Sequence, residues 1–120
     1  MRADIVQSKG VRTLTVRLTQ ADTAQTELFT LPAGCRILGV SGDVEDAFNA
    51  GATLAVGILS DPDFLVTAMA LDAVGHVVGT LAHQLKTTQP TTITATVSDG
   101  TAVGSVDLTI MFAFDLDSRL

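Results

Sequence analysis

Between Val106 and Leu116 every second residue is a large apolar one. Val106, Leu108, Ile110, Phe112, Phe114 and Leu116 alternate with Ser105, Asp107, Thr109, Met111, Ala113 and Asp115. Successive side chains of an extended strand point to opposite faces, so this run has one face for a core. A helix has no way to bury a period of two. The other face is mixed: Asp107, Thr109 and Asp115 suit water, whereas Met111 and Ala113 suit a partly covered surface. A sheet with one apolar face needs a second layer against it.

The rest of the chain has the same texture. Thr and Val are abundant, and Gly, Pro and Asp punctuate short segments, a pattern of all-β domains. Leu14, Val16 and Leu18 share a face opposite Thr13, Thr15 and Arg17, and Gln20 to Thr23 turns the chain. Thr26 to Leu31 is a second expected strand, stopped by Leu31-Pro32-Ala33-Gly34. Arg36 to Ser41 is a third, ended by Gly42-Asp43. Leu54 to Leu59 reads as a strand buried on both faces, because Ala55 and Gly57 stand where polar residues would otherwise alternate. Val74 to Leu81, with Gly75 and Gly79, suits a bent or bulged strand, and Leu81 to Thr87 another before Pro90. Ile93, Ala95 and Val97 alternate with threonines, and Ser98-Asp99-Gly100 suggests a hairpin or tight return into the last strand.

One segment fits two patterns. Asp61 suits an N-cap, Pro62 a first helical position, and Ala68 to Leu71 are good helix formers. A short helix near residues 62–71 and one more strand are both open. The expectation is therefore an all-β protein, an antiparallel β-sandwich or jelly-roll-like fold of roughly seven to nine strands. At 120 residues it forms one domain, residues 1–120, with residues 1–9 as an N-terminal arm.

Charge narrows the function. Thirteen acidic residues against seven basic ones give a net charge of −6. Phosphate neutralisation needs clustered Lys and Arg, so no nucleic-acid partner is expected. The basic residues Arg2, Lys9, Arg12 and Arg17 gather near the N-terminus. They either guard a strand edge or form an arm that docks on an acidic neighbour. Trp and Tyr are absent, which removes the usual stacking platform for sugars. Hydrophobic residues make up 47% of the chain and charged ones 17%, with a mean hydropathy of +0.42. No run reaches the ~18–20 apolar residues of a membrane helix, and MRADIVQSKG lacks a secretory apolar core. No membrane partner is expected. The apolar excess is expected to be covered by other protein chains.

No residue set for catalysis, cofactor or metal emerges. Cys35 is the single cysteine and reads as a small buried residue. His76 and His83 are the only histidines, too few for a cupin-type metal site. Asp43, Glu45 and Asp46 form one acidic cluster and Asp61 and Asp63 another. Neither has EF-hand spacing, and both suit solvated carboxylates. No G-x-S-x-G elbow or phosphate loop is present.

The run from Leu31 to Phe64 resembles a known family. The features are Leu31-Pro32-Ala33-Gly34, Ile37-Leu38-Gly39-Val40, Ala47-Phe48-Asn49-Ala50-Gly51, Leu54-Ala55-Val56-Gly57 and Asp61-Pro62-Asp63-Phe64, joined by the ending TTITATVSDGTAVGSVDLTIMF. Together they resemble small all-β head decoration, or cement, proteins of tailed bacteriophages over about residues 10–116. The resemblance implies a non-enzymatic virion protein without cofactors. It further implies a jelly-roll-like dimer or trimer, bound to the major capsid protein on the outer head surface and assembled in the host cytoplasm. A tail-tip or fibre-associated binding module is the alternative.

Overall fold

The computed structural model of the protein describes residues 11–19, 24–98 and 103–114. The expected arm at residues 1–9, with Arg2 and Lys9, lies outside them. So do the turn at Gln20 to Thr23, the Asp99-Gly100 pair, Asp115 and Leu116.

The described residues form eight strands and no helix: β1 (Val11–Thr19), β2 (Thr26–Leu31), β3 (Cys35–Asp46), β4 (Thr53–Ile58), β5 (Asp61–Ala70), β6 (Gly75–Gly79), β7 (Thr91–Ser98) and β8 (Ser105–Phe114). They build two antiparallel four-stranded sheets, ordered β1-β8-β3-β6 and β2-β7-β4-β5. The first strand pairs with the last, the second with the seventh, the third with the sixth and the fourth with the fifth. The chain is thus one long hairpin, bent at β4–β5 and rolled until β3–β8 and β4–β7 also pair. This is the jelly-roll connection order.

The period-two runs place the core. Leu18, Ile37, Val40, Val44, Val106, Leu108 and Ile110 project from the first sheet. Leu31, Leu54, Val56, Leu65, Val66, Ile93, Ala95 and Val97 meet them from the second. Burying each Leu, Ile or Val favours folding by roughly 1.5–3 kcal/mol.

One open alternative is decided and three expectations are corrected. The segment open to a helix is strand β5. Its register against β4 slips twice, so Met69, Val66 and Asp61 face Leu54, Val56 and Ile58. The extra residues put buried Leu65, Val66 and Met69 at spacings of one and three, which imitates a helical stripe. Pro62 is tolerated because β5 is an edge strand.

β3 does not end at Gly42-Asp43 but continues to Asp46. Gly42 faces the core, where a Cβ would lie 3.1 Å from Met69 Cε and 3.1 Å from Val106 Cγ2. It makes room for a side chain of the opposite sheet and turns nothing.

β7 and β8 do not form a hairpin, since they lie in different sheets. Residues 81–87 are not a strand. Only Arg36 and Lys86 bridge there, supported by Ile37 N donating to Leu85 O at 3.1 Å and Thr87 N to Cys35 O at 2.7 Å. β6 covers Val40 to Val44 of β3, and this short segment covers the start of the same edge.

Candidate interaction surface

The outward face of the first sheet is a graded surface. Register places Arg17, Asp107, Asp43 and His76 in one row across β1, β8, β3 and β6. Arg17 Nη2 donates to Glu45 Oε1 at 2.6 Å, and Arg17 Nε lies 3.2 Å from Asp107 Oδ1. The hydrogen bond to Glu45 and then the charge of Asp107 raise the Arg17 pKa. His76 Nδ1 lies 2.9 Å from Asp43 Oδ1. Beyond them Ser105 Oγ donates to Asp46 Oδ2 at 3.3 Å. The Arg17 and His76 pairs are exposed to solvent, which screens them, so they order the surface more than they stabilise the fold.

The next row is Thr15, Thr109, Ser41 and Val78. The Thr15 and Thr109 hydroxyls share a hydrogen bond of 3.1 Å. The following row is Thr13, Met111 and Gly39. Leu38 follows buried Ile37 and so points outward, and the bulge at which the ladder skips it, between Ile37 and Gly39, keeps Gly39 on the same side and returns Val40 to the core. Leu38 is 39% exposed, Met111 40% and Val78 69%. Gly39, Ser41, Val78, Thr109 and Met111 line a shallow hollow of about 160 Å³. A Cβ on Gly39 would meet nothing within 4 Å, so the hollow owes its depth to that missing side chain.

Most residues singled out in the sequence are held separately. Asp43, Glu45 and Asp46 lie on one strand but take three different partners, His76, Arg17 and Ser105. Asp61 and Asp63 belong to the second sheet. Their carboxyls share a hydrogen bond, which with partial burial raises the Asp61 pKa. His83 stacks on Phe64, with ring centroids 4.8 Å apart, and does not meet His76. Among the described residues no three His, Cys, Asp or Glu side chains converge as a metal site.

Cys35 is fully buried, and burial pushes its thiol pKa up. Its N–H donates to Thr87 Oγ1 at 2.9 Å, and that hydroxyl donates to Pro32 O at 2.7 Å. Arg12 sits on the core-facing side of edge strand β1, level with Phe112. Its guanidinium lies over the Phe114 ring, 5.6 Å from the centroid. An inward-pointing charge at a sheet edge discourages unwanted pairing. Arg17, the other described member of the basic group, is engaged by its own sheet.

The sequence marked Met111 as a residue for a partly covered face but missed Leu38, Gly39 and Val78. Leu38 escaped because the bulge changes the phase of alternation within the run Ile37 to Val40, so that the run does not show which of its apolar members face in. The adjacent Val77-Val78 pair was the available signal, since two neighbouring strand residues face opposite ways.

No family model matches this sequence, and no curated protein does. Solved structures do. The fold matches a chain in the acidic stable capsid structure of Helicobacter pylori bacteriophage KHP30 at a TM-score of 0.71, with 15% identity, covering 88% of this chain and 89% of that one. It matches a chain of the cyanophage Pam1 capsid asymmetric unit at 0.58, with 18% identity over 87% and 84% of the two chains. It matches a chain of the capsid of Ralstonia phage GP4 at 0.61, with 21% identity over 87% and 84%. At these identities the shared property is the fold.

Proposed function

We propose that this chain is a capsid decoration, or cement, protein, a homo-oligomer that binds the major capsid protein on the outer surface of a tailed-phage head. The observation that carries this reading is the near-full-length agreement of its jelly roll with chains in three bacteriophage capsid structures. Its action is thermodynamic and needs no catalytic group. A protein that binds the assembled shell but not the dissociated subunits stabilises the shell by mass action. An oligomer that touches several subunits at once multiplies that effect.

Two further observations favour this reading. A net charge of −6 disfavours a position against packaged DNA, so the external surface suits it better. The exposed Leu38, Val78 and Met111 supply apolar area for contact between chains. The partners are the shell and further copies of the chain, not nucleic acid or membrane, and assembly takes place in the host cytoplasm. Nothing observed favours attachment to a tail tip or fibre.

The test uses virions made from a genome that encodes this chain. Mass spectrometry should find it in stoichiometric ratio to the major capsid protein, and cryo-electron microscopy should show its density outside the shell. Deleting the gene should lower the temperature at which heads rupture. Absence from heads, or density confined to the tail, overturns the proposal.

A further inference from the structure

We infer that the outward face of the β1-β8-β3-β6 sheet docks on the same face of a second copy, across a two-fold axis. The inference rests on the oligomeric reading above and adds to it a surface and a symmetry.

The face is complementary to itself in charge along the strands. Among the described residues, one end of the face carries Asp43, Glu45, Asp46 and Asp107, four carboxylates with Arg17 as their one guanidinium. The other end carries, among the described residues, Arg36, level with Ala113, and across the isolated bridge Lys86. Arg36 alternates with buried Cys35 and Ile37 and so points outward. Lys86 is exposed between the less accessible Leu85 and Thr87 and points the same way. Between the ends lie the hydroxyl row, Met111, Val78, Leu38 and the hollow over Gly39. A two-fold axis through this middle sets the basic end of each copy over the acidic end of the other and brings the apolar centre against itself. Isologous contact of this kind is self-complementary and closes at two copies.

Size and relief fit. Four strands about 4.8 Å apart and a ten-residue β8 at about 3.3 Å per residue span roughly 19 by 33 Å. Side-chain relief adds to this roughly 600 Å², against about 800 Å² per partner in a standard interface. The small residues Gly39, Ser41 and Thr109 allow the two sheets to approach the ordinary face-to-face spacing of about 10 Å. Leu38 stands beside the hollow and is the natural knob for its copy in the partner.

Two variants of the full chain test this in combination. Arg36→Glu/Lys86→Glu makes both ends of the face acidic, and Asp43→Lys/Glu45→Lys makes the acidic end basic. Sedimentation velocity should find the wild type dimeric. Each variant alone should self-associate at least roughly tenfold more weakly. An equimolar mixture should dimerise again, because in the mixed pair both ends are opposite in sign. A third variant, Gly39→Phe, fills the hollow and should also weaken the dimer while keeping its circular dichroism and melting transition. A monomeric wild type, variants that associate unchanged, or a mixture that stays monomeric overturns the inference. Binding to shells is read separately. Shell binding by a chain that does not dimerise this way removes only the two-fold face, whereas a dimer that fails to bind shells removes only the decoration reading.

Discussion

Met69 of the second sheet ends in the space left by Gly42 of the first, its Cε 3.1 Å from where a Cβ on that glycine would stand. The contact crosses the core and fixes how closely the sheets approach. Val106 Cγ2 closes the same space, also at 3.1 Å. Gly42→Ala is therefore expected to destabilise by about 1–3 kcal/mol, because the flexible Met69 can yield but the packed, β-branched Val106 cannot. In urea denaturation, Gly42→Ala combined with Met69→Ala should cost less than the two single changes added together. Strict additivity would mean that the two sites do not share space.

Glycines elsewhere should behave in opposite ways. A Cβ on Gly57 would fall on the backbone of Asp61 and Pro62, and one on Gly104, at φ +139°, on the Phe48 ring. Gly57→Ala and Gly104→Ala are each expected to cost more than about 2 kcal/mol. Gly39→Ala, which meets open space, should stay within about 0.5 kcal/mol of wild type. Thermal melts of the three variants give the ranking directly.

Thr87 holds the entrance to β3 through its hydroxyl, between the Cys35 N–H and the Pro32 carbonyl. Thr87→Val leaves a buried donor without its acceptor and should cost about 1–3 kcal/mol, while Thr87→Ser should recover most of that. The same packing shields Cys35, whose thiol pKa is raised by burial. In the native protein it should react with a thiol reagent far more slowly than in urea, and faster in Thr87→Val than in wild type.

The Asp61 carboxyl has its pKa raised first by the hydrogen bond shared with Asp63, then by partial burial and by the charge of Asp63. A raised carboxyl pKa means that the folded chain holds this proton more tightly than the unfolded one. Its effect on stability is nil below the unfolded pKa. It becomes unfavourable as pH rises toward the folded pKa and is constant above it. Asp61→Asn should therefore be slightly more stable than wild type at neutral pH, with the difference vanishing in acid. Denaturation midpoints at several pH values would reveal a gap of the opposite sign if this assignment were incorrect.

The alternating runs at 14–18, 93–97 and 106–110 were legible because burial on one face of a strand leaves a local, two-residue signature. Irregularities were not. The register slips in β5 disguised a strand as a helix candidate, and the bulge at Leu38 concealed an exposed residue in an apolar run. Gly42 read as a terminator because a turn glycine and a glycine that makes room look alike in one dimension.

Taken alone, the sequence determined that the chain is all β, which residues of β1, β7 and β8 face its core, and that its charge opposes binding to phosphate. Only the tertiary structure decided that β8 lies between β1 and β3 instead of beside β7, and that Asp43, Asp107, Arg36 and Met111 share one face. The alternation of a strand tells which side chains it buries and says nothing of which strand lies beside it. Pairing between distant strands depends on how well whole faces fit, and that emerges only when the long hairpin rolls up.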